Sequence, residues 1–74
     1  MARYEYTVLF EPREGGYQVL VPAIPEICTF GESMEEARAM AADAIRCYLE
    51  SAIKNGEEIP EDREPRQERL AVAV

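Results

Sequence analysis

The sequence predicts an α+β domain of order β-β-β-α-β, with one helix packed on a four-stranded mixed sheet of strand order 3-2-1-4. Three observations predict it. Apolar and polar residues alternate in three short runs before Gly31, helical periodicity extends from Ser33 to about Lys54, and β-type residues return at Leu70–Val74.

The first strand is read from Tyr4 to Glu11. Tyr4, Tyr6, Val8 and Phe10 point one way, and Glu5, Thr7 and Leu9 the other. Pro12-Arg13-Glu14-Gly15-Gly16 interrupts the pattern, and its glycines can supply the positive φ of a short hairpin. Tyr17–Val21 alternates again, with Tyr17, Val19 and Val21 on one face. Pro22 and Pro25 bracket a loop, because neither fits inside a central strand. Ile27–Phe30 is a third strand, stopped at Gly31, and strands joined this tightly form an antiparallel meander.

Ser33-Met34-Glu35-Glu36 matches a capping box, in which the Ser33 hydroxyl accepts from the Glu36 amide and the Glu36 carboxylate reaches back. Met34, Ala37, Ala41, Ala44, Ile45, Tyr48, Leu49 and Ala52 then fall on one stripe, rich enough in alanine to let the helix lie close to a sheet. Arg46, Glu50 and Lys54 form an exposed row at i, i+4 spacing, and Asn55-Gly56 ends the helix. Residues 61–69 are charged and carry no apolar side chain, as a solvated connector would. Leu70–Val74 is expected as the fourth strand, parallel to the first and beside it after a right-handed crossover. The helix covers one face of such a sheet and leaves the other without a covering element.

A chain of 74 residues makes one domain, 1–74. At this size folding buries only roughly 60% of the unfolded surface, so extra stabilisation is expected from disulfides, a metal or oligomerisation. Cys28 and Cys47 are the only cysteines, lie in elements of different type and read as small buried hydrophobes. With no histidine and only these two cysteines, a zinc ligand set cannot be assembled, so neither metal nor other cofactor is expected. A homodimer or higher homo-oligomer remains.

The absence of histidine also removes the base of serine- and cysteine-centred catalysis, and the carboxylates fit capping and surface roles, so the chain reads as a binding protein and not an enzyme. A net charge of −7 repels phosphate backbones and favours basic or mixed partners over DNA. The Met-Ala-Arg start has no apolar leader, and no apolar run approaches the ~20 residues of a bilayer span, so the expected location is the cytoplasm. Candidate partner-binding residues are Tyr4, Tyr6 and Tyr17, which either underlie the helix or decorate an interface, and Met40 and Cys47. The latter two share a shoulder of the helix that either meets a second subunit or borders the core.

Several segments in order carry a resemblance: Gly15-Gly16-Tyr17-Gln18-Val19-Leu20-Val21-Pro22, Ile24-Pro25-Glu26-Ile27-Cys28-Thr29-Phe30-Gly31, Ser33-Met34-Glu35-Glu36-Ala37, Ala44-Ile45 with Tyr48-Leu49, and Gly56-Glu57-Glu58-Ile59-Pro60. Together they resemble the N-terminal domain of HicB-type antitoxins. The resemblance implies a partial ribonuclease-H-like β-β-β-α-β fold without nuclease activity. It also implies a role in binding and blocking a small, basic, messenger-RNA-cleaving HicA-type toxin. Many family members continue into a C-terminal DNA-binding domain that has no counterpart in this sequence, so direct operator binding is not expected. An orphan homo-oligomeric interaction module with no toxin is the alternative.

Overall fold

The computed structural model describes residues 3–74; Met1 and Ala2, part of the start read as lacking a leader, lie outside them. Three strands, β1 (Leu9–Arg13), β2 (Gly16–Leu20) and β3 (Cys28–Gly31), form an antiparallel sheet of order β1-β2-β3. One helix, α1 (Met34–Lys54), follows. The α+β class and the meander agree with the sequence reading.

Glu14 and Gly15 make the tip of the β1–β2 hairpin, which Arg13 and Gly16 close as a pair. Gly15 sits at φ 87° and Gly16 at φ 154°, in the region that favours residues without a Cβ. A Cβ at Gly16 would also strike the carbonyl of Gly31 on β3. Beyond the hairpin, Phe10 pairs with Val19 and Val19 with Thr29, which puts Val19 at the centre of the helix-facing side.

Tyr4–Val8 continues the alternation of β1 without belonging to the ladder, so the first strand begins at Leu9, later than the pattern suggests. Its would-be partner is lost because β2 turns away after Leu20. There two proline-initiated turns follow one another, with the Ile24 amide donating to the Val21 carbonyl at 2.9 Å and the Ile27 amide to the Ile24 carbonyl at 3.0 Å. Pro22 and Pro25 each hold the second position of a turn, where their fixed φ is pre-set. The spacing of three puts Val21, Ile24 and Ile27 on the same inward side. All three are buried, with Tyr6, Val8, Ala44, Ile45 and Tyr48 packed around them. What reads as a loop is thus a second half of the core, beside that of Val19, Ala37 and Ala41.

Ser33 caps α1 as expected, its Oγ accepting from the Glu36 amide at 3.1 Å. The Glu36 carboxylate returns to the amide of Glu32, one residue before the cap, at 3.0 Å. Ala37, Ala41, Leu49 and Ala52 are the buried residues of the predicted stripe. The first turn lies so close to β3 that a Cβ on Gly31 would come 2.9 Å from the Cβ of Ala37. At the other end Gly56 adopts φ 68°, the Gly56 amide donates to the Ile53 carbonyl and the Glu57 amide to the Ala52 carbonyl. This double closure is a Schellman motif. In the exposed row, Arg46 pairs at 2.7 Å with Asp43, one turn back, and not with Glu50.

The fourth strand is absent: residues 57–74 contain no regular secondary structure, so the four-stranded order 3-2-1-4 is not formed within this chain. Side chains, not a backbone ladder, hold this tail. The Tyr6 hydroxyl donates to the Pro60 carbonyl at 2.6 Å, and the Asp62 carboxylate accepts from the Thr7 amide at 2.7 Å and the Thr7 hydroxyl at 2.8 Å. Pro65–Gln67 then borders a cleft with Leu9–Pro12, so the tail follows the first segment in the same direction, some 55 residues out of register. Leu70 and Val72 are left 80% and 79% exposed.

Candidate protein-binding groove

Tyr4 and Tyr6 precede β1 on the side that faces α1, and the last turns of the helix approach them. Between them runs an apolar groove of about 610 Å³, lined by Tyr4, Tyr6, Ala42, Ile45, Leu49 and Ile53, with Arg46 and Glu50 among its lining. Two large apolar residues stand open to solvent here, Tyr4 at 42% and Ile53 at 57% exposure. Exposed apolar surface held between rigid elements and rimmed by charge is the usual form of a protein-binding site.

Local chemistry fixes the groove's floor and one end. Leu49 is anchored in the core stripe, while Ala42 and Ile53 lie further round the helix on the same side. The Tyr6 hydroxyl is tied to Pro60. Burial holds its phenol above the usual tyrosine range, reinforced by Tyr4, Asp62 and Tyr48. Hydrogen bonds from the Thr7 amide and hydroxyl hold Asp62 below the usual aspartate range, against a smaller opposing effect of burial.

Of the five residues expected to bind a partner, the structure brings Tyr4 and Tyr6 together. Tyr17 is separate: it lies on β2 between Pro12 and Gly31 and packs against the Val19–Ala37–Ala41 core. Met40 and Cys47 are both exposed, on the shoulder of α1 opposite to Ala42 and Ile53. Cys47 therefore does not read as the buried hydrophobe expected. Nor does Cys28, which is exposed on the helix-distant face of the sheet and accepts from Gln18 Nε2 at 3.4 Å. That face carries the row Leu9, Leu20, Cys28 and the row Glu11, Gln18, Phe30, the last 40% exposed. The sequence reading missed Ile53 and Ala42. The signal was present: Ile53 follows Ala52 and widens the apolar stripe on one side only.

Among the described residues, no group of three or more histidine, cysteine, aspartate or glutamate side chains is placed to hold a metal ion, and no helix is long and apolar enough to cross a membrane.

A three-stranded meander followed by a single helix, with an acidic surface and an open apolar groove, defines a small α+β domain. Residues 6–70 match the family described as HicB-like antitoxin of bacterial toxin–antitoxin systems, and the chain belongs to that family. It is 44% identical over 59 residues to a UPF0150 protein of Thermoplasma acidophilum, covering 78% of this chain and 86% of that one. It is 46% identical over 56 residues to Antitoxin HicB 1 of Photorhabdus laumondii, covering 74% of this chain but only 36% of the antitoxin. A UPF0150 protein of Synechocystis is 35% identical over 60 residues, covering 80% of this chain and 76% of the relative. No solved structure matches the chain.

Proposed function

We propose that this chain is an antitoxin that neutralises a small, basic, messenger-RNA-cleaving toxin of the HicA type by direct contact, without catalysis of its own. The observation that carries the reading is the family match across residues 6–70. The role is extended from relatives of which one, Antitoxin HicB 1, is much longer than the aligned region. Two features support contact with a basic protein. Fifteen acidic against eight basic residues give an attractive surface for such a partner, and the groove of Tyr4, Tyr6 and Ile53 offers apolar anchors where charge alone would give little specificity.

Co-expression with a HicA-like protein encoded beside this chain is the test. Rescue of growth and co-purification of a complex are expected; failure of both removes the antitoxin reading. Ile53→Glu should weaken the complex by roughly tenfold or more, about 1.4 kcal/mol, by putting a charge into the groove. Ile53 is exposed, so the helix content seen by circular dichroism should not change. Unchanged affinity of Ile53→Glu would move the contact elsewhere on the surface.

A further inference from the structure

We propose that Leu70–Val74 is a β-strand completed in trans: it adds to the free edge of β1 in a second copy of the chain, and the second copy returns the same strand. The argument begins with register. The tethers Tyr6–Pro60 and Thr7–Asp62 fix the tail about 55 residues out of step with the first segment. The tail and β1 advance by similar amounts per residue when extended. Leu70 therefore draws level with Gly15 at the hairpin tip, and Leu70–Val74 has passed the last residue of its own β1, Arg13. Its own sheet has no strand left to offer it.

The shape of the molecule agrees. The radius of gyration is 14.8 Å and the long dimension 53 Å. A compact domain of this length has a radius of about 11 Å. The projecting segment alternates Leu70, Val72 and Val74 with two alanines and carries no charge, a pattern made for pairing and costly to leave in water.

A second copy is the occupant these features fit. Two projecting segments pairing only with each other would make an isolated two-stranded ribbon, which is marginal in water. The edge of an existing three-stranded sheet is the better acceptor. Of its two edges, β3 is crowded at Gly31 by the first turn of α1, whereas β1 ladders with β2 alone and borders, along Leu9–Pro12, a cleft whose other wall is Pro65–Gln67 of the same chain, which the incoming strand would enter. Pro12 has no amide to donate, so the added ladder rests on the other residues of β1. Reciprocal exchange uses the same two surfaces in both copies, as a closed twofold dimer requires. It also places the strand beside β1, the position the order 3-2-1-4 assigns to it. The proposal does not depend on the toxin reading.

The test combines solution mass with an intermolecular distance probe on the full chain. Sedimentation equilibrium should give twice the 8.4 kDa of one chain, and deletion of Leu70–Val74 should return one chain mass with helix content retained. A spin label on Val72→Cys, in a Cys28→Ser/Cys47→Ser background, is then mixed with an unlabelled, isotopically enriched copy of the same background. Broadening of the Leu9, Phe10, Glu11 and Arg13 amides in the enriched copy is expected. A monomeric full chain overturns the proposal, including one whose tail orders only on a toxin. A dimer that survives the deletion overturns it too, as does broadening confined to 70–74 or to Cys28–Gly31.

Discussion

At the scale of single residues, the tail is governed by one carboxylate. Asp62 takes both the amide and the hydroxyl of Thr7, where a neighbouring strand would offer a backbone carbonyl. Its pKa is lowered chiefly by those bonds, so the ionised form is the one that stabilises docking. The contribution is complete above the ordinary aspartate value of about 3.9 and is lost as pH falls through the lower folded value. The Thr7 amide resonance should accordingly titrate with a midpoint below that of a free aspartate, and Asp62→Ala should abolish the titration. A midpoint at the ordinary value would show that the bond is not maintained in solution. None of this was legible in the sequence, where residues 61–69 read as a uniform charged connector; the bond depends on where Thr7 lies in space. The cysteines misled for a related reason. Residue type favours burial, but Cys28 falls on the uncovered face of the sheet and Cys47 on the flank of the helix.

Elements were more legible where local chemistry decides them. Gly56 and the glycine pair at the hairpin mark ends that need a positive φ, Ser33 one that needs a side-chain acceptor, and each stands where the pattern puts it. The tandem turns at Pro22 and Pro25 were visible as breaks in the sheet, but their inward side was not. A spacing of three through Val21, Ile24 and Ile27 matches neither the strand nor the helix period used to find a core. The fourth strand fails for the opposite reason, since its residues are right but no partner is within reach. The tightest junction between elements is Gly31 against Ala37. Gly31→Ala should cost about 1–3 kcal/mol through overpacking at that junction, read as a lower urea midpoint with an unchanged slope. A midpoint equal to that of the parent would mean that the helix can lift from the sheet without penalty.

Over the whole molecule, net charge and elongation set how it meets other proteins. A charge of −7 on so small a body should accelerate encounter with a basic partner and make that rate fall as salt is raised from ~0.02 to ~0.5 M, because surface charges are screened beyond about a Debye length. Stopped-flow association at several ionic strengths measures this; a salt-independent rate would place the energy of association in the apolar groove alone. The order of the core along the chain has a separate consequence. Among the described residues, every buried apolar side chain, from Val19 to Ala52, precedes Gly56. The hydrophobic centre therefore needs no buried side chain from residues 57–74 and can close before they find a partner, so each domain is already folded when its projecting segment pairs.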